Sequence, residues 1–186
     1  MAHLGIDYGS KLAGTTVICF EKNSQLHFLQ SEKKQDADIF LRKNILELKP
    51  SKIFMDAPLS LPGVYQKNGD DYFYRKCDRE VNAMSPMFLG GLTARAMKIR
   101  ASFPEIPFYE IYPAHLVRIL FSDNPFYKKD LNSFSQILES QLPVGLSAHP
   151  CNWHQVDAVL AWFSGWRFKN NTAIIFGEEN EGIICV

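Results

Sequence analysis

The sequence predicts a single α/β domain spanning residues 1–186, built on a five-stranded mixed sheet in the order 3-2-1-4-5. Helices cover both faces, and a helical insertion separates strands four and five. Three observations carry this expectation. Short apolar runs broken by turn residues open the chain. An amphipathic stretch then precedes a fully apolar run of strand length, and such a helix-then-strand return favours a strand parallel to the first. Finally, 186 residues with 46% apolar content, including 14 Phe, 7 Tyr and 3 Trp, suit one well-filled core.

The elements follow in order. Residues 3–7, 15–20 and 26–29 are apolar runs separated by Gly9-Ser10-Lys11 and by Glu21-Lys22-Asn23-Ser24, which reads as a three-stranded antiparallel meander. Across 36–48, Ile39, Phe40, Ile45, Leu46 and Leu48 recur between charges as on a surface helix, and Pro50 closes it. Ile53-Phe54-Met55 is the fourth strand and ends in Asp56. Residues 57–71, rich in Pro, Gly and polar side chains, form a long loop, read as a mobile cover because long loops in compact domains are usually functional or mobile. Helices are expected over 72–84 and 89–102, a fifth strand over 107–112, and another helix opening at Pro113. A helix over 130–141 and a linker over 143–150 lead to the most apolar helix, 153–168. A last hydrophobic stretch (173–176) and a tail hairpin (178–185) complete the chain. Trp153, Trp162, Phe163, Trp166 and Phe168, at helical spacing among Val and Leu, read as core and not as a base-stacking platform.

Composition excludes several classes of function. Twenty basic and 20 acidic side chains give zero formal charge, so an electrostatic DNA coat is ruled out, and any phosphate contact needs a local basic face or metal ions. Cys19, Cys77, Cys151 and Cys185 are far apart with no CxxC spacing, so a reduced cytosolic interior explains them better than zinc. No run approaches the roughly 18 apolar residues of a membrane span, and residues 1–7 lack the basic-then-apolar pattern of a leader, so a cytoplasmic, non-membrane protein is expected.

The acids carry the chemistry. Asp7 closes the first strand, Asp56 the fourth, Glu110 lies in the fifth, and Asp157 falls early in the last long helix. With strands one, four and five parallel, their C-terminal ends share one edge, where open α/β sheets bind ligands. Carboxylates crowded there cannot all stay ionised without a cation, and hard divalent ions are the usual answer. Magnesium or manganese is therefore expected.

Gly5-Ile6-Asp7-Tyr8-Gly9-Ser10-Lys11-Leu12-Ala13-Gly14 resembles the opening strand and turn of the RNase H-like superfamily, nearest its RuvC-like Holliday-junction resolvase branch. Met55-Asp56-Ala57-Pro58-Leu59-Ser60-Leu61-Pro62, Arg75-Lys76-Cys77-Asp78-Arg79, Glu110-Ile111-Tyr112-Pro113 and His154-Gln155-Val156-Asp157-Ala158 resemble, in the same order, an uncharacterised family of RNase H-fold nucleases. The resemblance implies a two-metal phosphodiester hydrolase acting on DNA or RNA, with Asp7, Asp56 and Asp157 as metal ligands and Glu110 completing the catalytic acids. Two departures stand out. The helix acid that RNase H places after the meander has no counterpart if Asp36, Asp38 and Glu47 face water, and the second acid of the resolvase helix pattern is replaced by Leu160.

Lys11, Arg75, Arg79 and His154 are placed as substrate contacts. Arg75 and Arg79, one helical turn apart, can hold phosphate, although pairing with Asp70, Asp71, Asp78 or Glu80 competes. Arg95 with Lys98 is a weaker basic pair, and Glu178, Glu179 and Glu181 read as a solvated turn. Two alternatives stay open: a catalytically silent module of the same fold, and a phosphotransferase of the actin and sugar-kinase type, whose second half 186 residues cannot accommodate.

Overall fold

The structure, a computed structural model, describes residues 3–122 and 126–186. Strands β1 (Leu4–Asp7), β2 (Val17–Lys22) and β3 (Gln25–Gln30) form the antiparallel meander. Helix α1 (Ala37–Leu48) follows, started by Asp36, whose carboxylate accepts the Asp38 and Ile39 amides, and stopped by Lys49 at φ 46° ahead of Pro50. β4 (Ile53–Asp56) returns parallel to β1.

The insertion contains three helices where two were expected: α2 (Lys76–Val81), α3 (Pro86–Leu89) and α4 (Gly91–Ala101). Local chemistry explains the division. Asp71 accepts the Phe73 and Tyr74 amides in a turn that delays α2, and Asn82 at φ 54° ends it. Ser85 then caps a new start with Pro86 at its first position, and Gly90 at φ 40° separates α3 from α4. The chain continues through β5 (Phe108–Glu110), α5 (Pro113–Leu120), α6 (Leu131–Gln141), β6 (Gly145–Leu146), α7 (Trp153–Lys169), β7 (Ile175–Glu178) and β8 (Gly182–Cys185).

The expected order 3-2-1-4-5 is the centre of a larger sheet, β6-β3-β2-β1-β4-β5-β8-β7. Among the described residues eight strands replace the five expected. β6 is a two-residue pairing with Gln25 and Leu26 inside the stretch read as a linker, too short for any period to show. The tail hairpin is present as β7 and β8, but β8 also pairs with β5, through Glu110 and Ile184, and extends the sheet.

Side-chain alternation sorts the sheet into two faces. Leu4, Ile6, Ile18, Ile53 and Met55 pack with α1 and α4, while Val17, Cys19 and Leu26 pack with α5, α6 and α7. Every residue of α7 from Val156 to Gly165 is buried, which is why this helix carries no amphipathic stripe. Trp162 and Phe163 are core, and Trp153 and Trp166 are half-buried against it. Phe168 packs on Phe54 and Tyr109. Truncating Trp162 to Ala would cost about 3–5 kcal/mol. Gly5 lets α7 settle onto β1: a Cβ there would lie 2.1 Å from the Trp162 amide nitrogen and 2.5 Å from the Ala158 carbonyl. Among the described residues no helix is long and apolar enough to cross a membrane.

Candidate metal centre

Asp7 and Asp56 are the last residues of β1 and β4 and stand in register at the same sheet edge. The parity that points Gly5 at α7 points Asp7 there too, and Asp56 shares the side of Phe54, which packs with Ala161 of α7. Asn152 caps α7 by accepting the Gln155 amide, which fixes the helix start and brings Asp157 down onto that edge one turn later. One carboxylate oxygen from each of Asp7, Asp56 and Asp157 lies within 4.8 Å of the other two. Three acids from three separate elements thus meet as the sequence led us to expect.

Their surroundings compensate the negative charge only in part. Burial pushes the Asp7 carboxyl up to about 6, against the opposing hydrogen bond from His154 and with help from the Asp157 charge. Asp56 is raised well above the usual carboxylate range by burial and then by the charges of Asp7 and Asp157, and it accepts no hydrogen bond among the described residues. Asp157 is raised by burial and partly relieved by Lys128 and Tyr127. The Tyr127 hydroxyl donates to Asp157 Oδ1 at 2.8 Å, and the Lys128 ammonium donates to Oδ2. His154 Nδ1 lies 2.8 Å from Asp7 Oδ2, and this contact raises the imidazole pKa. A purely oxygen-donor cluster that resists ionisation suits a hard divalent cation.

Glu110 does not join this cluster, and Arg75 is not free for phosphate. The two are partners. Fully buried, Arg75 spends all five guanidinium donors inside the protein: Nε and Nη2 on Asp78 at 3.0 and 2.6 Å, Nη1 and Nη2 on Glu110 at 2.7 and 2.6 Å, and Nη1 on Ser60 at 2.8 Å. Glu110 Oε2 also accepts the Leu59 amide, tying the loop after β4 to the end of β5. The arginine reads as a surface phosphate ligand from sequence because its main partner is 35 residues away.

The other expected contacts are dispersed. Arg79 is exposed, pairs with Asp71 and stacks over Tyr74 at 4.4 Å. Lys11 pairs with Asp36 at 3.0 Å. Arg95 donates to Asp38, as does the Tyr8 hydroxyl at 2.6 Å, so Asp38 is neutralised behind the β1 turn where water exposure was expected. Of the tail acids, Glu181 is half-buried and accepts the Gly63 and Lys76 amides, and Glu178 pairs with Lys76. That contact divides the expected cover loop: residues 57–59 are buried, while 65–70 are exposed. Sequence reasoning missed Tyr127 and Lys128, whose only trace is an aromatic-basic run ahead of Asp130.

No family model matches this sequence, and no curated protein matches it. Solved structures do. The chain aligns with the Thermus thermophilus RuvC structure at a TM-score of 0.51 and 15% identity, covering 92% of this chain and 98% of that one. It aligns with T. thermophilus RuvC in complex with Holliday junction substrate at a TM-score of 0.50 and 14% identity, covering 92% and 97%. At this identity the likeness is one of fold. The chain has the fold of RuvC, the RNase H-like arrangement that its motifs resemble.

Proposed function

We propose that the protein is a metal-dependent nuclease that hydrolyses phosphodiester bonds in DNA or RNA. The observation that carries this reading is the convergence of buried Asp7 and Asp157 with partly buried Asp56 at the sheet edge where such folds bind ligands. These three residues would hold magnesium or manganese, and when bound the two ions would lower the pKa of a water and stabilise the leaving oxygen. His154 orients Asp7 through Nδ1 and, being partly exposed, offers its other ring nitrogen to the phosphate. Lys128 adds a cation beside Asp157 and can turn to a phosphate oxygen when Asp157 is otherwise engaged. The RuvC neighbour that holds a Holliday junction supports nucleic acid as the partner.

A catalytically silent module is the second reading, favoured by the fact that Tyr127 and Lys128 already occupy both oxygens of Asp157. Cleavage of branched and linear DNA and RNA, in manganese and in chelator, separates the two. A nuclease cleaves in manganese only and falls to the chelator level in Asp7→Asn. A wild type that cleaves none of these substrates and whose melting temperature ignores manganese is the silent module.

A further inference from the structure

A cleft of about 230 Å³ opens from Asp7 and Asp56 and runs beneath the insertion, smaller than the roughly 300–1,000 Å³ pockets that enclose drug-sized ligands. Past the acids, its walls are Ala83 and Met84 after α2, Leu89 and Leu92, and Ile111 with Tyr112 after β5. Among the described residues no Lys, Arg or His lines it. Of the polar side chains deeper in, Tyr8 and Glu110 are committed to Asp38 and Arg75, and Tyr112 presents a ring that faces Arg118. A second phosphate has no partner there, because anions need cations or free N–H donors. Within one nucleotide of a phosphodiester held at the acids, the group with flat apolar faces is the base. In intact duplex those faces are covered by neighbouring bases.

We propose that this cleft receives one unstacked nucleobase flanking the scissile phosphate, so that the substrate is a phosphodiester beside an unpaired nucleotide. The proposal rests on the nuclease reading and narrows it. Met84, mostly exposed at the mouth, is the adaptable apolar side chain that grips differently shaped rings. With Tyr8 and Glu110 already paired, the largely apolar wall reads shape more than hydrogen-bond pattern, so any of the four bases fits. Pulling a base from a perfect duplex costs a few kcal/mol, which selects against paired DNA.

The test uses one DNA sequence as a full duplex, as a duplex with a single-nucleotide bulge, and with the bulged nucleotide made abasic, each in manganese. We expect the bulge to be cut beside the extra nucleotide at least about tenfold faster than the duplex, whichever base is bulged, and the abasic bulge to lose that advantage. Ala83→Phe, which fills the cleft, brings the ratio toward one, and so does Met84→Ala, whose exposed position keeps the fold out of question. Equal rates on bulge and abasic bulge, or a ratio that survives both variants, overturn the base site and leave the nuclease standing. A 2-aminopurine bulge bound without metal gives a second readout: a fluorescence change lost in Ala83→Phe, with no cleavage by the wild type, keeps the base site and removes the nuclease.

Discussion

Two buried charge clusters sit side by side behind the sheet edge, and they are built on opposite principles. In one, Arg75 sits between Asp78 and Glu110 with every guanidinium donor used, and the remaining carboxylate capacity is taken by the Arg75 and Leu59 amides. In the other, Asp7, Asp56 and Asp157 face one another with a partly exposed lysine and a histidine at their margin. The first cluster is closed: nothing is left for a ligand to satisfy. The second is open: burial holds all three carboxyls above their ordinary pKa, and Lys128, Tyr127 and His154 meet only Asp157 and Asp7. A sequence motif does not distinguish these cases; the balance of donors and acceptors after folding does.

Several measurements can break or sharpen that contrast. The largest effect is expected at Arg75. Arg75→Leu leaves two buried carboxylates uncompensated and should destabilise by about 3–5 kcal/mol, read as a lowered midpoint in denaturant. Unchanged stability would mean that the network is not closed. Next comes manganese: at 100 times its dissociation constant it should stabilise the wild type by about 2.7 kcal/mol and leave Asp56→Asn nearly unmoved.

In chelator, Asp56→Asn removes a charge that no hydrogen bond holds. We expect it to gain about 1 kcal/mol, some 2–4 °C in melting temperature. A loss would place Asp56 among the closed set. The pH dependence has a definite sign. Asp7 titrates near 6 in the folded state against an ordinary 3.8, so the folded protein binds more protons between about pH 4 and 6 and the metal-free protein loses stability as pH rises through that window. The raised His154 pKa acts in the same direction above it, since its contribution disappears as the imidazole deprotonates. Melting curves from pH 4 to 8 in chelator check both. The smallest effect belongs to Arg79, one turn from Arg75 but exposed, where Arg79→Ala should leave the melting curve in place.

The open cluster was legible in the sequence because each acid closes or opens an element with a strong local signal: Asp7 after an apolar run before Gly9, Asp56 after Ile53-Phe54-Met55, Asp157 inside an apolar helix. Of the closed cluster only the Arg75–Asp78 pair was legible, as the alternative to a phosphate contact. Arg75 lies among acids and lysines, and nothing local reveals that Glu110 and Ser60 will enclose it. Lys128 escaped for the same reason, since its place depends on how the chain between α5 and α6 folds against α7. β6 and the pairing of β8 with β5 rest on two and one residue pairs, below the length at which strand periodicity is visible. The helix boundaries of the insertion turned on single residues, Asp71, Asn82 and Gly90, whose turn geometries outweighed the periodic pattern around them.

The glycine at position 5 has a consequence two residues away. Asp7 and Asp157 belong to the two elements that touch there, so the missing methyl group sets how far apart the acids stand. Magnesium takes oxygen ligands at about 2.0–2.1 Å in strict octahedral geometry, whereas calcium accepts about 2.3–2.6 Å and looser shells. On the proposed metal-dependent reading, the ionic radius that this edge would accept is set in the core, by the thickness of the layer between a strand and a helix. Gly5→Ala would wedge that layer open and move the preference toward the larger ion without altering a single oxygen donor.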